Sequence, residues 1–307
     1  MSDYSDFLLA ILGPTASGKT ALAIQLAQSI GGEIVSVDSR QIYRQMAIGT
    51  AKPTLKEQQA VRHHLIDSAD VDERFSVADF QRLADQAIRD IRQRGKLVLL
   101  VGGSGLYFRA LVDGLFSGPA GDEKLRHQLK VQEEDRGRKY LHRKLEKIDP
   151  QTARKIHPNN LVRVIRALEV YYLSGQPMST FQPTWKSETR YNFRAYVLNI
   201  DRQHLYQRIE TRIDQMIEQG WIQEVEDLLT AGYSPLSHPL RSFGYTELIN
   251  HLNGTINLDT AVEQIKIKTR RYAKRQLTWF RADPRLKWVN PEQMNPQELS
   301  IFPNNYQ

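Results

Sequence analysis

Residues 7–20 read FLLAILGPTASGKT. The six apolar residues Phe7–Leu12 are typical of a buried strand, and the apolar positions of residues 21–30 recur at the spacing of a helix. Between them, residues 13–20 match the pattern G-x-x-x-x-G-K-[ST]. A glycine-rich loop between a strand and a helix is the setting in which this pattern binds phosphate groups. We therefore predict an anion site at the start of the first helix.

The predicted phosphate site consists of eight consecutive residues: Gly13, Pro14, Thr15, Ala16, Ser17, Gly18, Lys19 and Thr20. Its glycines let backbone N–H groups turn towards an anion, and the following helix adds the positive end of its dipole. Lys19 is expected to reach the outer phosphate oxygens, and the Thr20 hydroxyl is expected to bind Mg²⁺. Nucleotide hydrolases end a second strand in a metal-binding Asp. The strand at residues 97–101 is followed by glycines, so an ordinary ATPase cycle is not expected.

Strand and helix patterns alternate through the first third of the chain. Further strands are predicted at residues 33–37 and 96–101, and an amphipathic helix is predicted over residues 75–94. This alternation predicts an α/β fold, a P-loop NTPase-like parallel sheet covered by helices.

The strand pattern disappears over residues 118–190, which are charged and helix-forming, and it returns at residues 194–200. We therefore predict an α/β core of residues 1–117 and 191–307 with an inserted all-helical domain of residues 118–190. After the returning strand, helices are predicted at residues 201–219, 222–231, 246–252 and 258–281, with Gly244 and Tyr245 in a loop.

The composition excludes several classes of protein. Of the 307 residues, 40% are hydrophobic and 25% are charged, so the chain is expected to fold. It contains no cysteine, which excludes disulfides, cysteine-ligated zinc and thiol catalysis. No apolar run approaches the roughly 18 residues of a membrane span, and the N-terminus does not resemble a secretory signal. We expect a cytoplasmic protein that acts as a monomer without a membrane.

The positive charge is concentrated near the C-terminus. The chain carries a net charge of +7, and residues 264–288 contain nine basic residues against one acidic residue. Basic residues there are interleaved with Tyr272, Trp279 and Phe280, a mixture that suits an RNA backbone and a stacked base. The alternative is a helix whose aromatic residues are core and whose charges are solvated. The uniform sign of the charge favours RNA.

A second group of candidate residues follows the predicted strands. Asp38 ends the strand at residues 33–37, where a carboxylate can act as general base, assist Mg²⁺ binding, or cap the next segment. Ser39, Arg40 and Gln41 follow it, and Ser104 lies in the glycine-rich turn after the strand at residues 96–101. His63 and His64 are adjacent and point in different directions, so we expect them to be structural rather than metal ligands.

Two pairs of arginines have helical spacing. Arg208 and Arg212 could clamp a phosphate, but Glu210 and Asp214 are the ion-pair partners that the spacing favours. Arg163 and Arg166 also share one side of a helix. Either a phosphate contact or a salt bridge to Glu169 explains them.

Taken together, these motifs resemble the tRNA dimethylallyltransferases of bacterial type, also called tRNA isopentenyltransferases. The resemblance rests on the phosphate loop and, in order, on Asp38-Ser39-Arg40-Gln41-Ile42-Tyr43, His63-His64-Leu65-Ile66-Asp67, Gly102-Gly103-Ser104-Gly105-Leu106-Tyr107, residues 163–169, Gly244-Tyr245 and Lys274-Arg275-Gln276-Leu277-Thr278-Trp279-Phe280-Arg281. It spans nearly the whole chain. The combination is far more specific than the phosphate loop alone.

The resemblance implies transfer of a dimethylallyl group from dimethylallyl diphosphate to N6 of the adenosine next to the anticodon, on its 3′ side, in tRNAs that read codons beginning with U. Lys19, Thr20 with Mg²⁺, and Arg212 would stabilise the departing diphosphate, and Asp38 would accept the N6 proton. The helical insertion would contact the anticodon stem. The tRNA contacts that it implies are Asp38, Ser39, Arg40, Gln41, Ser104, Arg126, Arg163, Arg166, Arg241, Gly244, Tyr245, Lys274, Arg275, Gln276, Trp279 and Arg281.

This chain departs from the family pattern at two positions. Ser104 replaces a threonine and keeps the hydroxyl, whereas Leu161-Val162 replaces more polar residues and weakens the case for an RNA contact at Val162. Three other functions compete with this interpretation. An adenylate isopentenyltransferase and a small-molecule kinase would each leave the basic helix unexplained, and an RNA-binding module would leave the phosphate loop unexplained.

Overall fold

The computed structural model describes residues 7–115, 118–181 and 189–291. The chain divides into two compact units, one of Met1–Val112 with Tyr191–Gln307 and one of Asp113–Arg190. Within these described ranges, no helix combines the length and apolar character that a membrane crossing requires.

The first unit is built on a six-stranded sheet. Its strands are β1 Phe7–Leu12, β2 Gly32–Val37, β3 His63–His64, β4 Leu97–Gly102, β5 Asn192–Leu198 and β6 Lys287–Val289. Their order is β3-β2-β4-β1-β5-β6, and every neighbouring pair is parallel. This confirms the predicted α/β class. The four predicted strands agree with β1, β2, β4 and β5 to within two residues, whereas β3 and β6 are too short to show an apolar pattern.

β1 lies in the interior of the sheet. Ile11 is in register with Val101 of β4 on one side and with Tyr196 of β5 on the other. Both faces of an interior parallel strand are covered, which explains why β1 is an unbroken apolar run. The chain leaves β1 at Gly13, so the phosphate loop lies at the carboxyl edge of the sheet, where ligands bind in open α/β folds.

Thirteen helices occur in the described ranges. They are α1 Lys19–Ile30, α2 Leu55–Ala60, α3 Val77–Gln93, α4 Gly105–Asp113, α5 Glu123–Arg136, α6 Tyr140–Ile148, α7 Pro150–Lys155, α8 Leu161–Ser174, α9 Met178–Phe181, α10 Arg202–Glu218, α11 Trp221–Thr230, α12 Tyr245–Leu252 and α13 Leu258–Arg281. The predicted bounds of α13 are confirmed. The prediction that Tyr245 lies in a loop is wrong, because it is the first residue of α12 and Gly244 is the N-cap, with φ 92°.

Local capping residues set several of these helix ends. The Ser76 side chain accepts a hydrogen bond from the Asp79 N–H while the Asp79 carboxylate accepts one from the Ser76 N–H, so α3 begins with a capping box. Asn257 caps α13 by accepting a 2.8 Å hydrogen bond from the Thr260 N–H. α1 begins after Gly18 and ends before Gly31, and both glycines have a left-handed backbone conformation. These signals fix where each helix starts or stops.

The side chains of β1 alternate between two apolar cores. Leu8, Ala10 and Leu12 join the core under α3 and α4, whereas Leu9 and Ile11 join the core under α1. A third core holds α10–α13 against the segment that follows β2, with fully buried members such as Met46, Val225, Leu248 and Ile265. This third core packs helices behind the carboxyl edge of the sheet.

The second unit is helical. α5, α6, α7 and α8 pack around one apolar core that includes Leu129, Leu141, Leu145, Val164 and Leu168. All five of these residues are at most 1% exposed.

Candidate active site and nucleic-acid interface

A cavity of about 410 Å³ opens at the carboxyl edge of the sheet. Residues assigned from the sequence to catalysis or phosphate binding line it: Thr15, Ala16, Lys19, Thr20, Asp38 and Arg212. Residues assigned to tRNA line it too: Ser39, Arg40, Gln41, Arg241, Tyr245, Arg275 and Gln276. The fold therefore brings into one cavity residues that lie more than 250 positions apart in the sequence.

The phosphate loop leaves several backbone donors available to an anion. The Gly13 N–H is bound to Gly102 O, the Ser17 N–H to Pro14 O, and the Thr15 N–H to the Gln276 side chain. The N–H groups of Ala16, Gly18, Lys19 and Thr20 have no hydrogen-bond partner among the residues that the structure describes. These four donors at the start of α1 form an anion cradle.

Lys19 is half-buried beside this cradle, and its ammonium approaches Pro14 O at 3.4 Å. Burial lowers the pKa of the Lys19 ammonium to about 8, while the charge of Asp38 raises this pKa and the charge of Arg212 lowers it. A bound anion would offset the penalty of burial, so the loop favours negatively charged ligands.

The donor set at the loop suits Mg²⁺ shared with a diphosphate. The Thr20 hydroxyl and the Asp38 carboxylate line the same cavity, and the buried Ser17 Oγ has no hydrogen-bond partner in the described ranges. No group of three or more His, Cys, Asp or Glu side chains that could hold a metal occurs in those ranges. Mg²⁺ commonly takes few protein ligands and completes its shell with water and substrate phosphate oxygens, so these residues fit the ion.

Two arginines of α10 flank the loop. Arg212 lines the cavity, and Arg208 approaches Gly18 so closely that a Cβ there would lie 3.4 Å from Arg208 Nη2. The expected ion pairs of these arginines with Glu210 and Asp214 are wrong, because Glu210 pairs with Arg270 and Asp214 with Lys266. Burial, followed by the charge of Arg208, lowers the pKa of Arg212. Two like charges held together beside an anion cradle indicate a site for a polyanion.

A second cavity, of about 780 Å³, lies between α1 and α10 on the other side of the loop. It is lined by Gly18, Leu22, His204, Arg208 and Arg212 among others, and it shares Ala16 and Arg212 with the first cavity. The phosphate loop is thus reached from two sides.

Asp38 follows β2 and faces the cavity. Its Oδ1 accepts hydrogen bonds from the N–H groups of Arg40, at 2.8 Å, and Gln41, at 3.3 Å. Asp38 therefore does cap the segment that follows it, which is one of the roles considered from the sequence. This cap uses one of its two carboxylate oxygens. Oδ2 has no hydrogen-bond partner in the described part of the chain, which leaves it for a ligand.

Part of the cavity wall is apolar. Ile209, Ile213 and Met216 of α10 line it together with Trp221 of α11. The Tyr245 hydroxyl donates a 2.7 Å hydrogen bond to Glu224, whose carboxylate also accepts from the N–H groups of residues 47–49. Glu224 thus fixes the loop that closes this side of the cavity. The wall suits a small hydrocarbon group beside the anion cradle.

Another part of the cavity lining is basic. Arg40, Arg241 and Arg275 line it, and Arg40 Nη1 donates to His238 O at 3.5 Å. Burial, together with the charges of Arg40, Arg74 and Arg241, lowers the pKa of His238. This concentration of positive charge suits a phosphate backbone at the entrance.

The basic residues of α13 fall into two groups. Those up to Arg270 form ion pairs within the protein, whereas those from Arg271 onward are available to a partner. Lys266, Lys268 and Arg270 form ion pairs with Asp214, Glu247 and Glu210 respectively. Arg271 and Lys274 are exposed and have no ion-pair partner in the described ranges. Arg275 and Arg281, also exposed, stack on Tyr272 and Trp288 at 5.8 and 5.6 Å. The expectation of a uniformly basic face therefore applies to the C-terminal half of the helix.

Several other predicted RNA contacts are packed into the protein. Trp279 fits against Gly105 and lies under the Arg109 guanidinium, while Ser104 is half-buried and donates its N–H to Val37 O at 3.1 Å. Gly244 and Tyr245 are buried, and Gly244 lies against the Trp221 ring. Of these four residues, Tyr245 lines the cavity, whereas Ser104, Gly244 and Trp279 do not.

In the helical unit, Glu169 is fully buried and binds two of the predicted RNA contacts. Arg126 Nε lies 2.8 Å from Glu169 Oε1, and Arg166 Nη1 donates to Glu169 Oε2. Burial raises the pKa of Glu169, but the hydrogen bonds from Arg126, Arg166 and the Asp122 N–H outweigh it, and the pKa is lowered overall. Of the two explanations for Arg166, the salt bridge is present. Arg163 is exposed on the same helix.

The two adjacent histidines are structural, as expected. His64 Nε2 lies 2.7 Å from the Glu33 carboxylate, and His63 Nδ1 lies 2.8 Å from Val61 O.

Sequence reasoning missed the apolar wall and rejected Arg208. Ile209, Ile213 and Met216 recur at helical spacing, which would have predicted an apolar face but not what it lines. Trp221 and Glu224 carry no local signal, because their partners lie far away in the sequence.

Comparison with known proteins identifies the family. Residues 41–283 match the family model described as IPP transferase. The chain is 51% identical over 283 residues to tRNA dimethylallyltransferase 2 of Geotalea uraniireducens, covering 92% of this chain and 91% of the relative. It is 46% identical over 298 residues to the tRNA dimethylallyltransferase of Acetivibrio thermocellus, covering 96% and 95%.

Solved structures agree with this assignment. The tRNA isopentenylpyrophosphate transferase of Bacillus halodurans superimposes with a TM-score of 0.71 at 43% identity, covering 96% of this chain and 93% of that one. A eukaryotic dimethylallyltransferase acting on tRNA gives a TM-score of 0.80 at 30% identity, covering 96% and 78%. The resemblance inferred from the motifs is confirmed, and the chain belongs to the IPP transferase family.

Proposed function

We propose that this chain transfers a dimethylallyl group from dimethylallyl diphosphate to N6 of the adenosine next to the anticodon, on its 3′ side, in tRNAs that read codons beginning with U. One observation carries the proposal. The Asp38 carboxylate shares a cavity with the phosphate loop, with Arg212 and with an apolar wall. A base, a diphosphate site and a hydrocarbon site are the three parts that this reaction needs.

The phosphate loop holds the leaving group. The free N–H groups of the loop, the Lys19 ammonium and Arg212 surround the place where negative charge grows as the bond from the allylic carbon to diphosphate oxygen breaks. Fixed donors aimed at developing charge are among the strongest catalytic devices in proteins. Mg²⁺ bound at Thr20 would supply further neutralisation of the diphosphate. The second cavity between α1 and α10 offers the diphosphate a route that does not cross the RNA.

Asp38 acts on the nucleophile. The N6 lone pair forms the new bond to the allylic carbon, diphosphate departs with the electrons of the broken bond, and the N6 proton passes to the free oxygen of Asp38. An adenine within a stacked loop cannot reach this cavity, so the base must be turned out of its stack. Thr50, Arg241 and Tyr272 line the space that receives it.

The RNA contacts are proposed from exposure and charge. Arg163 on the helical unit and Arg271, Lys274, Arg275 and Arg281 on α13 are exposed and basic, so we assign them to the anticodon stem-loop. A transferase that acts on free AMP would have no use for them.

Transfer of labelled dimethylallyl diphosphate tests the proposal. We expect label on an anticodon stem-loop that carries adenosine on the 3′ side of the anticodon. A matched stem-loop with guanosine at that position should remain unlabelled. Label on AMP but not on the stem-loop would establish the adenylate-specific alternative instead.

A further inference from the structure

Gln276 lies on the buried side of α13, within the stretch that the sequence assigned to tRNA. It is 6% exposed, whereas its neighbours Lys274 and Arg275 are exposed. Gln276 does line the cavity at the carboxyl edge of the sheet, but a side chain with so little exposure lies out of reach of an RNA backbone that follows the surface of the helix.

The Gln276 amide joins two loops of the site. Its Oε1 accepts a 2.9 Å hydrogen bond from the Thr15 N–H, and its Nε2 donates a 2.9 Å hydrogen bond to Gly103 O. A backbone N–H can only donate and a carbonyl can only accept, so these partners determine the orientation of the amide. The phosphate loop and the turn after β4 are thus tied to one residue of α13.

Gly103 leaves the space that this amide occupies. A Cβ at residue 103 would lie 2.2 Å from Gln276 Nε2, well inside contact distance. Any larger residue there would therefore displace the amide.

We infer that Gln276 is a positioning residue for the diphosphate and does not contact tRNA. By holding the Thr15 N–H, it fixes the first turn of the loop so that the N–H groups from Ala16 onward face the anion. This inference rests on the proposed function, because the anion is taken to be the diphosphate of dimethylallyl diphosphate.

The test compares Gln276→Met with Lys274→Gln. Methionine has a similar size and removes both hydrogen bonds. We expect the Kd for inorganic pyrophosphate and the KM for dimethylallyl diphosphate to rise about tenfold, which corresponds to about 1.4 kcal/mol of lost preorganisation of the loop. The Kd for the anticodon stem-loop should stay within about twofold. Lys274→Gln should instead raise the Kd for the anticodon stem-loop and leave the Kd for pyrophosphate and the KM for dimethylallyl diphosphate unchanged.

Two further variants keep the test decisive if Gln276→Met does not fold. Gly103→Ala leaves the amide in the chain but crowds it, and it should weaken pyrophosphate binding without weakening RNA binding. Gln276→Glu should recover diphosphate affinity on acidification, measured relative to the wild-type protein at each pH. The protonated carboxyl group can again accept from Thr15 and donate to Gly103, so a recovery indicates those two hydrogen bonds rather than general packing.

Each outcome separates this inference from the proposed function. If the wild-type protein transfers label to RNA and the Gln276 variants lose RNA affinity at unchanged pyrophosphate affinity, Gln276 is an RNA contact and the inference is wrong. If the wild-type protein binds pyrophosphate in a manner that depends on Gln276 yet labels no RNA, the positioning role holds and the proposed function is wrong.

Discussion

Asp38 Oδ1 lies 2.8 Å from the Arg40 backbone nitrogen and accepts its hydrogen bond, so the carboxylate proposed as the base also holds its own turn. Asp38→Asn keeps an oxygen that can accept the hydrogen bond from the Arg40 N–H, but it removes the carboxylate that would take the proton from N6. We expect kcat to fall by about 10²- to 10⁴-fold, with the Kd for the anticodon stem-loop unchanged. Asp38→Ala should lose the turn as well and should also lower the melting temperature. Full activity in Asp38→Asn would exclude Asp38 as the base.

The lowered pKa of Lys19 predicts a pH dependence of diphosphate binding. With a pKa of about 8 in the free protein, Lys19 is charged at pH 7 and loses its proton as the pH rises through 8. A bound diphosphate favours the charged form, so the Kd for pyrophosphate should rise above pH 8 by up to about tenfold per pH unit. Titration calorimetry from pH 7 to 9.5 measures this. Lys19→Met should bind weakly at every pH without that rise.

The buried Glu169 should stabilise the helical unit. Glu169→Gln removes the buried carboxylate that pairs with Arg126 and Arg166, while the more exposed pair of Arg126 with Glu123 remains, and we expect the free energy of unfolding to fall by about 3 kcal/mol. Because folding lowers the pKa of Glu169, its contribution is present at neutral pH and is lost as the pH falls through that lowered value. Urea unfolding at pH 7 and at a series of pH values below the ordinary glutamate pKa of 4.5 tests both points. The matched control is Glu134→Gln, which removes an exposed pair with Lys130 at 3.7 Å and should cost about 0.5 kcal/mol or less.

The division of α13 predicts two kinds of basic residue. Replacing Lys274 and Arg275 by Gln should reduce the slope of log K against log salt for stem-loop binding by about 0.7 to 0.9 for each lost phosphate contact. Lys266→Gln and Arg270→Gln remove ion pairs to α10, so they should lower stability and leave the slope unchanged. Equal slope changes in both sets would contradict the division.

Gly244 and Gly254 form a matched pair for testing the wall around Trp221. Both have positive φ, 92° and 71°, but a Cβ at 244 would lie 2.3 Å from the Trp221 ring, whereas a Cβ at 254 would meet nothing within 4 Å. Gly254→Ala should cost about 1 kcal/mol of backbone strain. Gly244→Ala should cost about 1 to 3 kcal/mol more, because the ring must move and because φ 92° with ψ −62° lies outside the left-handed helical region. Denaturant midpoints of the two variants give the difference.

The parts of the fold that sequence could predict are those with long, regular patterns. The bounds of α13 follow from its apolar period and its Asn cap, and β1 follows from an apolar run that is covered on both faces. β3 and β6 could not be predicted, because a strand of two or three residues is too short to show an alternation of apolar and polar residues. Tyr245 was misplaced because Gly244 resembles a turn residue, while its positive φ begins a helix.

The sequence predicts those parts of the site that lie within one motif. It does not predict the parts that form when residues far apart in the sequence come together in the fold. The phosphate loop and Asp38 lie on or beside strands with strong signals. Glu210 was expected to pair with an arginine of its own helix, but tertiary packing brings Arg270 to it from 60 residues away. Gln276 lies in the same basic stretch of sequence as the exposed Lys274 and Arg275, and only the packing of α13 shows that it faces inward.

The interior position of β1 has a consequence for synthesis on the ribosome. Leu9 pairs with Leu99 and with Arg194, so its second partner strand is translated about 95 residues after its first. Throughout that interval the nascent sheet ends in an apolar strand with open backbone donors and acceptors, which is a template for unwanted pairing. The helical unit is made during this interval and can fold early through local contacts. Translation speed through residues 113–190 should therefore govern how much of the protein escapes aggregation.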